Sequence, residues 1–234
     1  MKLFFKYNEH SQIYNNTNLL DTNIILCTQN SDNINDMHIH YNWPPYDSKV
    51  EYLESSNTQY IETGIIPDSN TGIYAKVIYG NNTDTYCLGC RNNSNNTRWS
   101  VGHASSGFYY GYAGYQSSNR LTGTMGAEIK LNYLNDKKFT ASDINSTSSS
   151  TVNLPSLSFT PTYNIRLFGS AGITGNYTKF TGKIYFCKIT QGSEIICDLI
   201  PVRIGSIGCL FDMVTGNLFY NEGTGNFVLG PDIN

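Results

Sequence analysis

Two short patterns carry residue types that bind metals or cycle electrons: Cys87-Leu88-Gly89-Cys90 and His38-Ile39-His40. A CxxC is half of a tetrahedral zinc site or one dithiol pair. A structural zinc needs four ligands, and no second CxxC or histidine pair stands at a useful spacing. On a strand, positions three apart point to opposite faces, so Cys87 and Cys90 read first as small packed residues. His38 and His40 share one strand face, which suits a metal pair across the symmetry axis of an oligomer, but a lone HxH is a weak pattern. Glycoside hydrolysis needs two carboxylates flanking one bond. Glu51 and Glu54 straddle a strand start and Glu62 stands alone, with no run of the ExDxE type. No G-x-S-x-G, H-E-x-x-H or P-loop occurs. The expectation is a chain that is not an enzyme and uses no cofactor. The densest set of rings is Trp99, Phe108, Tyr109, Tyr110, Tyr112 and Tyr115, interleaved with Gly107, Gly111 and Gly114. Such rings cover a sheet core, line a subunit contact or stack on sugars. Trp99, Tyr109, Tyr110, Tyr112 and Tyr115 are the candidates for contact with a glycan or a partner.

The composition says what must position these groups. Charged residues make up 14% of the 234 residues, against roughly 25% in an average globular chain. Neutral polar groups therefore supply the surface, including 28 Asn. Asn, Ser, Thr and Gly favour turns over helices, and Tyr and Thr suit pleated surfaces. Residues 1–48 carry two Lys and five acidic residues, whereas 13 basic and 13 acidic residues balance from Lys49 onward. No basic patch marks a nucleic-acid partner. No apolar run approaches the roughly 20 residues of a membrane span, so no membrane insertion is expected. The opening MKLFFKYNEHSQIYNN lacks the apolar core of a signal peptide, which points to assembly in a cytoplasm. Cys27, Cys87, Cys90, Cys187, Cys197 and Cys209 are then expected as reduced thiols.

Short strand-like segments recur every 8–12 residues or so with no helical periodicity, the pattern of a sandwich or jelly roll. Leu3–Tyr7, Ile24–Cys27 and Met37–Tyr41 are strand-length runs in an Asn-rich first zone. Pro44-Pro45 closes that zone, because consecutive prolines cannot sit in a central strand. We divide the chain into an N-terminal segment, 1–48, and a main domain, 49–234. Ile73–Tyr79 alternates with period two. Ser142–Ser156 reads as a surface loop. Lys183–Ile189 with Glu194–Leu199, and Gly208–Asp212 with Leu218–Tyr220, read as hairpins. Asp198 and Arg203 are placed to pair across Ile200-Pro201-Val202, and Phe227–Leu229 to return beside Val50–Leu53.

Two segments carry a resemblance: VEYLESSNTQYIETGIIPDSNTGI (Val50–Ile73) and FTGKIYFCKITQGSEIICDLIPVRIGSIGCLFDMVTGNLFYNEGTGNFVLG (Phe180–Gly230). In that order they resemble the first and last parts of concanavalin A-like (laminin-G-like) jelly-roll domains from bacteriophages and bacteria of the gut. The resemblance implies an all-β, antiparallel two-sheet jelly-roll sandwich spanning the chain from Lys49. It also implies a virion protein, either a head-fibre or decoration protein or a tail-fibre component. Such a protein would be assembled in the host bacterial cytoplasm and bound to other virion proteins (capsid or tail) as a homo-oligomer. Its outward sandwich would contact host or mucus glycans. The alternative is a carbohydrate-binding module or cell-surface adhesin of a gut bacterium. The first 48 residues do not match and would be a small β-rich attachment segment, with Phe4, Phe5, Tyr7, Ile39, Tyr41 and Trp43 as its anchoring side chains.

Overall fold

The structure is a computed structural model. It describes the backbone of residues 5–7, 10–12, 24–26 and 39–41, and of 44–233 except 81–84, 92–97, 105–106, 114, 117–125, 127, 135–137, 145–148, 154–160 and 173–179. The chain forms two compact units, Met1–Pro45 and Tyr46–Asn234. In the first, β1 (Phe5–Tyr7) pairs antiparallel with β2 (His10–Gln12), and β3 (Ile24–Leu26) with β4 (Ile39–Tyr41). Phe5, Tyr7, Ile39, His40 and Tyr41 are strand residues there. Phe4, His38 and Trp43 lie outside the described residues.

The second unit is two antiparallel sheets, with no helix among the described residues. Its strands begin with β5 (Ser48–Val50), β6 (Leu53–Ser56), β7 (Ile61–Glu62), β8 (Thr71–Tyr79), β9 (Thr85–Cys90), β10 (Arg98–Ala104), β11 (Gly107–Ala113) and β12 (Tyr115–Gln116). They continue through β13 (Ile129–Leu134), β14 (Lys138–Asp143), β15 (Ser149–Asn153), β16 (Arg166–Leu167), β17 (Thr181–Gln191) and β18 (Glu194–Ile204). The last are β19 (Ile207–Asp212), β20 (Leu218–Phe219), β21 (Val228–Leu229) and β22 (Asp232–Ile233). The larger sheet runs β15-β14-β13-β8-β17-β18-β19-β20, with β5, β6, β21 and β22 joined to it; the smaller runs β12-β11-β10-β9-β16-β7. This is the jelly-roll sandwich expected from the sequence.

Strand alternation builds the core. In β8, Ile73, Ala75, Val77 and Tyr79 are buried while Tyr74, Lys76 and Ile78 are half-buried on the other face. Across the sandwich, Leu88, Val101, Tyr110 and Leu167 complete the apolar layer. Each large apolar side chain buried this way contributes about 1.5–3 kcal/mol. An aromatic chain ties the layers at one end: Tyr79 meets Phe180 edge-on at 4.9 Å, and Phe168 touches Phe180 at 6.0 Å and Phe227 at 4.6 Å. The C-terminal segment closes the sheet as expected. Leu229 stands opposite Leu53 and Asp232 opposite Val50. Gly223 permits that closure, since a Cβ on it would lie 1.9 Å from the Thr58 carbonyl oxygen.

Three sequence expectations are corrected. Asp198 and Arg203 do not pair: five residues of strand separate them by roughly 16 Å, and each has another partner. Lys188 Nζ donates to Asp198 at 2.7 Å, and Arg203 forks onto Asp232 at 2.6 and 2.7 Å. The Ser/Thr-rich stretch is not all loop, because Ser149–Asn153 is the edge strand β15. It is pinned to β14 in part by a 3.0 Å bond between the Thr140 and Thr151 hydroxyls. Cys87 and Cys90 do not face opposite ways. A register shift between Val101 and Gly102 leaves an extra residue on β9 opposite them, and both thiols enter the core.

Burial should make the free thiols of the sandwich inert. Burial pushes Cys87, Cys90 and Cys197 up to about 12 and Cys209 up to about 11, and raises Cys187 as well. A thiolate is the reactive form, so these five should resist a disulfide-exchange reagent at pH 8 in the native chain. They should react on unfolding in urea. Rapid labelling of Cys87 or Cys90 in the native protein would contradict their place in the core.

A candidate ligand groove on the larger sheet

A β-bulge makes the groove. Along β17 the register against β8 shifts between Ile184 and Phe186, leaving Tyr185 as the additional residue. The burial pattern shows the result: Ile184 and Cys187 are buried, while Tyr185 and Phe186 in succession are half-buried on the outward side. A regular strand would have turned one of those rings into the core; the bulge re-aims it. Tyr74 of β8 joins them, its ring 5.1 Å from that of Phe186.

These three rings line a groove of about 600 Å³, with Lys49, Val50, Lys188, Asp198, Ile200, Pro201, Met213 and Ile233 as the other walls. That volume suits a small ligand. The rings are held from outside. Tyr52 packs edge-on to Tyr185 at 5.4 Å, with Lys183 Nζ 3.9 Å from the centre of the Tyr52 ring and Lys76 Nζ 4.0 Å from that of Tyr185. Lys76 is in turn bound to Glu128 at 2.8 Å. Its hydrogen bond and charge hold the Glu128 carboxyl below its usual range. Desolvation first, and then the Glu128 charge and a hydrogen bond to it, push the Tyr185 hydroxyl up. The Tyr185 hydroxyl thus sits on the Glu128 side while its ring lines the groove.

The rings singled out from the sequence are elsewhere, on the smaller sheet. Trp99 and Tyr110 are both 0% exposed, so neither can meet a ligand. Trp99 is edge-on to Tyr110 at 6.3 Å, and Tyr110 stacks on Phe139 of the larger sheet at 5.1 Å. They are core residues because Trp99 and Val101 share the inward face of β10 and Tyr110 is the register partner of Val101. Tyr109, Tyr112 and Tyr115 have their backbones in β11 and β12; their side chains lie outside the described residues. The smaller sheet carries its own polar set. Arg166 donates to Glu62 through Nε at 2.7 Å and again through Nη2, and lies 4.0 Å from the centre of the Tyr60 ring. Arg91 Nη1 donates to the Tyr86 hydroxyl at 2.7 Å. Among the described residues, no three His, Cys, Asp or Glu side chains converge to hold a metal ion.

Tyr74, Tyr185 and Phe186 were missed from the sequence. The available signal was the break in alternation within Ile184-Tyr185-Phe186-Cys187, where period two resumes one residue late.

No protein-family profile matches the sequence, and no curated protein matches it significantly. Solved structures do. One is a candidate carbohydrate-binding protein from Bacteroides ovatus, 12% identical, with a TM-score of 0.53 over 84% of this chain; the chain spans 64% of that protein's length. Another is the native heptameric SAP-like pentraxin from Limulus polyphemus, 9% identical, with a TM-score of 0.46 over 80% of this chain and 96% of that one. At 12% identity the first likeness is one of architecture: the main unit is an all-β, two-sheet jelly-roll sandwich.

Proposed function

We propose that the sandwich is a carbohydrate-binding module and that the groove on its larger sheet is the binding site. The observation that carries this reading is the floor of adjacent rings, Tyr74, Tyr185 and Phe186, made outward-facing by the bulge in β17. A pyranose has one face of C–H bonds that packs on an aromatic ring and a rim of hydroxyls that needs donors and acceptors. The Lys188–Asp198 pair, 2.7 Å apart at the groove wall, offers both. The fold it shares with a candidate carbohydrate-binding protein supports the same reading. In this reading the module holds its sugar without cleaving it. The test is a glycan array followed by calorimetric titration of the best ligand. Tyr185→Ala and Phe186→Ala should each weaken binding by roughly tenfold, the size expected when a stacking ring is removed. Unchanged affinity in both variants would refute the site.

A second reading concerns where the module works. The Met1–Pro45 segment, with its two small hairpins, is a compact unit of its own and fits an attachment device. On this reading the chain is a homo-oligomeric virion component, a head-fibre, decoration or tail-fibre protein that displays the sandwich to glycans. Deleting residues 1–45 should then abolish association with particles while leaving sugar binding intact.

A further inference from the structure

We infer that the groove selects a sugar bearing a carboxylate and that Lys49 is the residue that reads it. This rests on the carbohydrate reading of the groove. The argument is one of charge pairing around the aromatic floor. Among the described residues, three charged side chains line the groove: Lys49, Lys188 and Asp198. Lys188 and Asp198 neutralise each other at 2.7 Å. The lysines that stack on Tyr185 and Tyr52 are also matched, Lys76 by Glu128 at 2.8 Å and Lys183 by Glu54 at 3.9 Å. Lys49 has no ion pair among the described residues. It is exposed in the middle of β5, with Val202 opposite on β18 and Ile233 opposite on β22. Its backbone position is thus fixed from both sides while its ammonium stays uncommitted.

An unpaired cation beside an apolar aromatic floor is complementary to a ligand that is mostly C–H surface with one negative charge at its edge. A uronic acid has that form. A phosphate or a densely sulfated chain carries more charge than one lysine answers, and among the described residues no arginine fork or helix N-terminus, the usual partners of such groups, lines this groove.

The test uses the full chain on an array that carries neutral oligosaccharides beside oligogalacturonate, its full methyl ester and a sulfated galactan, with calorimetry at low and high salt. The ester keeps the sugar and removes the charge. The acid should bind about fivefold tighter than the ester at low salt, the scale of an exposed ion pair. The preference should vanish at high salt. Lys49→Gln should bind acid and ester alike, and Lys49→Arg should keep the preference; a thermal melt confirms that both fold. Equal binding of acid and ester by the native chain would overturn charge selection and leave the carbohydrate site standing. Persistence of the preference in Lys49→Gln would overturn the role of Lys49. Sulfated galactan binding as well as the acid would overturn the carboxylate assignment. Silence across the whole array would overturn the carbohydrate reading itself.

Discussion

Trp99→Ala should destabilise the chain by about 3–5 kcal/mol, the cost of truncating a large buried aromatic, and should leave the affinity of the groove unchanged. The indole is fully buried and holds one end of a continuous ring stack. It meets Tyr110 edge-on at 6.3 Å, and Tyr110 lies on Phe139 of the opposite sheet at 5.1 Å. Removing it leaves a cavity between the sheets that the paired backbones of β9, β10 and β11 cannot close. Trp99→Phe should cost less, about 1–3 kcal/mol, because the indole Nε1 has no acceptor among the described residues. A phenyl ring loses volume but also sheds an unsatisfied buried donor. Urea denaturation measures both variants, with a fall in the midpoint at constant slope as the signature. If Trp99→Ala kept full stability and lost ligand binding, Trp99 would be a contact residue rather than a core one.

The same residue shows how far the sequence could be read. Period-two alternation in Ile73–Tyr79 sorted the two faces of β8, and burial shows which of them is the core. The Gly and Asn turns placed both C-terminal hairpins, and the return of Leu229 beside Leu53 followed from jelly-roll closure. What stayed hidden depends on register. Alternation says which residues share a face, but it cannot name the inward face where rings occur at both parities, as in Phe108-Tyr109-Tyr110-Gly111-Tyr112. Only the pairing of Tyr110 with Val101 decides it. A bulge is harder still. One additional residue in β9 turned Cys87 and Cys90 toward the same core, and one in β17 turned Tyr185 and Phe186 outward together. Both changes are invisible to a reading that assumes strict period two, and the second of them makes the candidate site. The Lys188–Asp198 pair is a cross-strand neighbour relation, so it too needed the register.

Asp212→Ala should lower stability by about 2–4 kcal/mol, summing the loss of several hydrogen bonds to a buried carboxylate, and should weaken the groove as well. Asp212 is 1% exposed at the end of β19. Its Oδ1 accepts from the Asp198 amide at 2.7 Å and from the Val214 amide at 3.1 Å, and its Oδ2 accepts from the Thr215 hydroxyl at 2.7 Å. The chain on either side is knitted to the same place, since the Met213 amide donates to the Asp198 carbonyl at 2.8 Å and the Gly216 amide to the Asp212 carbonyl at 2.8 Å. One carboxylate therefore fixes two groove walls at once, Asp198 through its backbone and Met213 through its neighbour. Val214 and Thr215 are exposed and recover water when the carboxylate is removed, whereas the half-buried Asp198 amide does not, which sets most of the cost. The Lys188–Asp198 pair then loses its alignment against the aromatic floor, so affinity should fall with stability. This coupling separates Asp212→Ala from Trp99→Ala, where stability alone should move. Calorimetric titration of both variants, held well below their melting points, reads the difference. Equal affinity in the two would show that the β19–β20 hairpin does not shape the groove. Asp212→Asn, which keeps one acceptor oxygen for the Asp198 amide, should fall between Asp212→Ala and the native chain on both scales.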